Sequence, residues 1–234
     1  MVISNLDSFS EKEKKIFKKT MRIEDSVVLL KEILKFYSCP VECEAKCCKV
    51  YDIPLSVLDK KRISKISRVH KKIIENEVIE KSETFNGIEV RKKVFKKMPC
   101  PFLNNDKCEI YQQRPVTCAV YPFHAYENDQ DNLVIDPCML GRDLMFDLVR
   151  FNLLRFSGDD PGARESFKNY LEYAQKLIVS LLKADEKSQS DLPNMVVPDL
   201  TDLRFFLFEL RKLSPEAIMD LRKDTISCVI SSIE

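Results

Sequence analysis

Residues Cys39 to Cys48 read CPVECEAKCC, and a second series of thiols follows at Cys100, Cys108, Cys118 and Cys138, so eight of the nine cysteines fall between positions 39 and 138. Thiolates hold zinc ions and iron–sulfur clusters, and four of them close a tetrahedral zinc site or a cluster. Eight thiols are twice that number. Buried apolar cysteines are common in protein cores, but they rarely gather at such spacings. If the first series is helical, Cys39, Cys43 and Cys47 stand at i, i+4 and i+8 on one face, spread over about 12 Å of helix axis. One ion does not span that distance, so a multinuclear cluster or two separate sites is expected. Pro40 is allowed in a first helical turn, and the adjacent Cys47 and Cys48 point to different partners. Cys228 stands apart, beside Ile226, Val229 and Ile230, and reads as a packing residue.

Outward from this array the pattern turns helical on both sides. From Glu11 to Phe36, apolar residues recur near a 3.6-residue period, which predicts one long or two short amphipathic helices. A basic helical stretch is expected from Ser56, as its N-cap, to about Glu77, burying Leu58, Ile63, Ile66, Val69, Ile73 and Ile74. Phe85-Asn86-Gly87-Ile88 predicts a two-residue hairpin turn. Pro99 to Cys138, rich in Pro, Asn and Asp, reads as loops with short β-prone pieces at Cys108–Tyr111 and Asn132–Ile135. Helices are then expected over Leu140–Phe156, from Pro161 along a stripe ending at Leu181 and Leu182, over Leu200–Lys212, and over Pro215–Ile230 with Ser214 as cap. The polar stretch Asp185–Asp191 interrupts this series.

Composition excludes much else. Hydrophobic residues are 44% and charged residues 32%, which marks a folded globular chain. The four glycines, Gly87, Gly141, Gly158 and Gly162, leave no way to write a dinucleotide fingerprint or a phosphate loop. The two histidines, His70 and His124, exclude H-E-x-x-H proteases and multi-histidine iron sites. Every apolar run is broken by charge well short of a membrane span. Residues 1–10 lack the basic and apolar regions of a secretory signal, so a cytoplasmic location is expected, where clustered thiols serve metals more often than disulfides. Lys60, Lys61, Arg62, Lys65, Arg68, Lys71 and Lys72, with Arg91, Lys92, Lys93, Lys96 and Lys97, make the middle of the chain basic although the net charge is only +1. Without interleaved aromatic residues they read as a solvated face, and nucleic-acid binding is not expected.

Taken together, the cysteine array, Cys100-Pro101-Phe102-Leu103, Cys108-x-Ile110-Tyr111, Arg114-Pro115-x-x-Cys118 and Tyr121-Pro122-Phe123 resemble the CxxCxxCC cysteine-cluster family of zinc- or iron-chelating domains, which distantly includes flagellin lysine methylases. The resemblance covers roughly Ser38 to Cys138. The family usually reads C-x2-C-x2-C-C, often with glycine before the final pair, whereas both spacers here have three residues. The resemblance implies an iron–sulfur cluster, of the 4Fe-4S kind, or zinc. It also implies redox or methyl-transfer chemistry, of an iron–sulfur oxidoreductase or a protein lysine methylase.

The expected ligands are Cys39, Cys43, Cys47, Cys48, Cys100, Cys108, Cys118 and Cys138. Arg114, Tyr121 and His124 are expected around them, compensating charge and limiting water. No acid/base pair or nucleophile with a supporting triad can be nominated, so whether the protein is an enzyme is left open. The fold expected is mainly α with a small β element: an N-terminal helical segment (1–35), a cysteine-cluster domain (36–140) and a C-terminal helical region (141–234). The function expected is that of a cytosolic metal-binding protein with a protein partner or substrate. The alternative is a structural zinc module serving protein or nucleic-acid interactions.

Overall fold

The computed structural model describes residues 9–85, 88–125, 133–156, 161–183, 195–197 and 199–231. It is dominated by helices, with small antiparallel sheets. The chain divides into two units, one built from residues 1–38 and 133–234 and the other from residues 39–132.

The first unit is helical. Two short helices begin it, α1 (Glu11–Met21) and α2 (Ser26–Leu34). Ser10 and Glu13 form a reciprocal capping box on α1, and Asp25 caps α2 through the Val28 amide. Four more helices follow, three of them longer: α7 (Met139–Phe156), α8 (Pro161–Lys183), α9 (Leu200–Leu210) and α10 (Pro215–Ser231). Their bounds match the sequence expectation closely, and the Ser214 hydroxyl caps α10 by accepting from the Ala217 amide. A short strand pair, β6 (Leu133–Ile135) with β7 (Met195–Val196), completes the unit. The Asp185–Asp191 stretch lies outside the described residues, as do the side chain of Cys228 and the Asn86–Gly87 turn.

Residues 144–149 of α7 are buried without interruption, as expected of a helix enclosed by α8 and α10 rather than laid on a surface. Asp147 is the one charge within that run. Its carboxylate accepts two hydrogen bonds from Arg222, at 2.9 and 2.7 Å, and one from the Tyr37 hydroxyl at 2.8 Å. A forked guanidinium of this kind offsets much of the desolvation that burying a carboxylate costs. Tyr37 is thereby fastened just before the first cysteine. Its hydroxyl is held well above the usual tyrosine pKa, by burial and then by the Asp147 charge.

The second unit holds α3 (Lys46–Val50), α4 (Val57–Ser64) and α5 (Arg68–Glu77), the ribbon β1 (Val78–Phe85) and β2 (Ile88–Phe95), the hairpin β3 (Leu103–Asn104) and β4 (Lys107–Cys108), α6 (Val116–Val120) and β5 (Phe123–Ala125). Its core is Ile53, Leu55, Ile63, Ile74, Phe95, Cys100, Phe102 and Ile110. A free two-stranded ribbon is marginal in water. Here its base is fixed by buried Val94 and Phe95 and by the hydrogen bond from the Leu55 amide to the Lys93 carbonyl, 2.8 Å.

The basic stretch expected as one helix is two, broken at residues 65–67 with Ser67 capping α5. The break resets the helical phase. Ile63 and Ile74 are buried as expected, but Leu58, Ile66 and Val69 are exposed at 74%, 38% and 64%. The region expected as loops also carries a short helix, α6, and the tight β3–β4 hairpin, whose turn residues Asn105 and Asp106 both have positive φ, 47° and 58°. Asn and Asp tolerate this conformation, which sets the twist a two-residue hairpin requires.

Candidate metal centre

The cysteines of the second unit sit on four short pieces of backbone. Cys39 precedes a 3-10 turn, Val41–Cys43, that ends on Cys43. Glu44 and Ala45 then adopt left-handed backbone, φ 46° and 53°, before α3 begins with Lys46. Cys39, Cys43 and Cys47 therefore do not lie along one helix, as the i, i+4, i+8 spacing suggested; two left-handed residues turn the chain between the second and third. Cys47 and Cys48 occupy the first turns of α3, Cys100 opens the turn leading into β3, Cys108 ends the β3–β4 hairpin and Cys118 lies in α6.

Two backbone contacts tie these pieces together. The Cys100 amide donates to the Cys48 carbonyl at 2.8 Å, joining the two cysteine series. The Glu109 amide donates to the Phe102 carbonyl at 2.9 Å, holding the hairpin end against the Cys100 turn. Cys48, Cys108 and Cys118 pack against the apolar cluster that contains Cys100, so thiols from separate segments line one edge of the core.

Electrostatics gives the grouping more directly. The Cys118 thiol is pushed up to about 12, by burial and then by the nearby sulfurs of Cys100, Cys47 and Cys108, with Arg114 acting in the opposite direction. Burial raises Cys100 to about 11, and Cys108 and Cys47 add to it against a backbone hydrogen bond at Phe102. Cys108 is raised first by burial, opposed by hydrogen bonding at Ile110 and by Arg114, with Cys47 adding to the rise. Cys39 is exposed as a residue, yet partial desolvation of its thiol, then Cys43 and Cys47, raise it to about 11. Cys47 is raised most, through a thiol–thiol hydrogen bond with Cys48 and then burial. These groups resist ionisation chiefly because they are desolvated, and at Cys47 first because of its hydrogen bond with Cys48; neighbouring sulfurs add to the cost, which a bound cation would offset.

All eight described cysteines are free thiols. Among the described residues no three His, Cys, Asp or Glu side chains stand in an arrangement that could hold a metal ion. The donors nevertheless fit zinc or iron: soft, reduced and mutually repelling once ionised. Their final approach would accompany binding, as is usual where metal binding and folding are coupled.

The expected surrounding residues are placed as follows. Arg114 lies over the Tyr111 ring, 4.1 Å from its centroid, and its charge favours the thiolates of Cys39, Cys108 and Cys118. The ring of Tyr121 lies 6.1 Å from that of Tyr51. His124 directs its Nδ1 towards the Pro122 carbonyl, 3.4 Å away. Cys138 belongs to the helical unit and stands just before α7, where its sulfur accepts from the Gly141 amide at 3.3 Å. Gly141 has a local reason to lack a side chain: a Cβ there would lie 1.8 Å from the Asp136 carbonyl oxygen.

One residue essential to this arrangement escaped the sequence reading. Asp59, 2% exposed, completes the capping box of α4 with Ser56 and then reaches further, accepting from Arg62 at 2.8 Å and from the Val116 amide at 3.1 Å. Arg62 in turn donates to the Arg114 carbonyl at 2.7 Å. The start of α6, which bears Cys118, is held by this carboxylate and by the Thr117 hydroxyl, which donates to the Pro54 carbonyl. The Ser-x-x-Asp pattern at 56–59 signals the cap, but nothing in it signals the second half of the network.

Free thiols from several segments, gathered at the edge of one small core, are the donor set of a soft-metal-binding protein. Residues 38–139 match the model of the CxxCxxCC family, described as "Putative zinc- or iron-chelating domain". No curated protein and no solved structure matches the chain. No described helix is long and apolar enough to cross a membrane.

Proposed function

We propose that the cysteines of residues 39–132 chelate an iron–sulfur cluster. The observation that carries this reading is the packing of thiols from separate segments against one apolar cluster, with Cys118 raised first by burial and then by the sulfurs of Cys47, Cys100 and Cys108. These four thiols would be the principal ligands, with Cys39, Cys43 and Cys48 available to a larger cluster or a second ion. A bound cluster would supply one-electron redox chemistry. The chain's own contribution is to keep the thiols partly desolvated and to offset their charge with Arg114. The same four thiols also suit a single tetrahedral zinc ion, in which case the unit is a folding support rather than a redox centre.

The test is the visible spectrum and metal content of protein purified without oxygen, before and after dithionite. A broad sulfur-to-iron band that bleaches supports the cluster. A colourless protein with one stoichiometric zinc supports the structural reading. Cys118→Ser and Cys100→Ser should each lose most of the metal, and Cys228→Ser should keep it. Full metal content in Cys118→Ser would overturn the ligand assignment.

A further inference from the structure

Within the helical unit, α7, α9, α10 and Phe9 enclose a cavity of about 320 Å³. That volume reaches the lower end of the range of small-molecule sites, roughly 300 to 1,000 Å³. Five phenylalanines wall it: Phe9, Phe151, Phe205, Phe206 and Phe208. They pack edge-on or tilted against one another, with Phe151 and Phe206 5.6 Å apart and Phe9 and Phe208 5.4 Å apart. Four charged residues also line it, and three are already matched. Asp147 is held by Arg222, and Glu209 pairs with Lys212 at 3.2 Å. The fourth, Arg150, makes no ion pair or hydrogen bond with any described residue, so the lining as a whole is apolar with one uncommitted positive charge.

We propose that this cavity binds a small organic carboxylate with an aromatic or short acyl body. The rings cover the body, and the Arg150 guanidinium forks onto the carboxylate, the geometry for which arginine is best suited. An amine of the same body would meet the same charge with the wrong sign, and an alcohol would leave it unanswered. The site is independent of the thiols.

The test is calorimetric titration of the full-length protein with octanoate and phenylbutyrate, and with octanol and octylamine as probes of equal body. Saturable binding of the carboxylates, with the alcohol weaker and the amine absent, is expected. Arg150→Gln should weaken carboxylate binding at least tenfold and leave octanol unchanged, and Arg150→Lys should recover part of the loss. Because Arg150 makes no ion pair or hydrogen bond with any described residue, both variants should keep the wild-type circular dichroism and metal content. Ile218→Trp, which fills the cavity, should abolish binding of all probes. No saturable carboxylate binding by the wild type, a preference for the amine, or undiminished carboxylate affinity in Arg150→Gln would each overturn the proposal.

Discussion

The carboxylate of Asp59 receives two donors from Ser56, one from Arg62 and one from the Val116 amide, and it touches no cysteine. Replacing it removes a buried charge from Arg62 and strands the first amide of α6. Asp59→Ala is expected to cost about 3 kcal/mol, as loss of one partner of a buried pair does, measurable by urea unfolding. Because the orphaned end carries Cys118, metal content should fall with stability, whereas Asp52→Ala, which removes only the surface ion pair with Lys81, should leave both nearly unchanged. Wild-type metal occupancy in a destabilised Asp59→Ala would show that the carboxylate supports the fold and not the site. The cysteines themselves were legible in the sequence because thiols are scarce and their spacing is distinctive. Asp59 was not, because a carboxylate that caps a helix looks the same whether or not a distant amide also reaches it.

Among the elements, long helices were readable from apolar content together with their start signals, Pro161 for α8 and Ser214-Pro215 for α10. Short elements were not. The 3-10 turn at Val41–Cys43 and the hairpin at 103–108 are too brief for a period to emerge, and their shapes are set by left-handed residues that local propensity does not announce. Ala45 is such a residue, at φ 53°, between Cys43 and Cys47. A Cβ in left-handed backbone costs about 1 kcal/mol, so Ala45→Gly is expected to stabilise the second unit by up to that amount, read as a raised unfolding midpoint with full metal retained. A lowered midpoint would show that this turn is not left-handed in solution. In the helical unit, Arg211 of the turn after α9 joins α1 and α2, donating to Thr20 Oγ1 at 2.6 Å and to Glu32 at 2.8 Å. Burial pushes the Glu32 carboxyl up, but Lys35 and Arg211 together bring it below its ordinary value of 4.5. A depressed carboxyl stabilises the fold above its unfolded value, and that contribution is lost as pH falls through the lower folded one. Glu32→Gln should therefore shed less than about 1 kcal/mol near neutrality and flatten the acid limb of the stability profile; an unchanged limb below pH 4.5 would refute the ion pair's role.

For the whole molecule, metal and stability should be coupled unevenly. If ion binding draws the thiols of residues 39–132 together, a chelator should raise hydrogen exchange at Cys100–Cys118 strongly, while amides around Ala174 and Ile178, wholly buried in α8, stay protected. Uniform loss of protection across the chain would mean that both units melt as one. The division of the chain has a further consequence, in the order of synthesis. The helical unit starts before the thiol unit and ends after it, so on the ribosome the thiol-bearing segment emerges complete while most of the helical unit is still to be made. Seven thiols are then available to the metal supply of the cell before Cys138 and its helix have left the exit tunnel, and the nascent chain would meet its cofactor before its scaffold is finished.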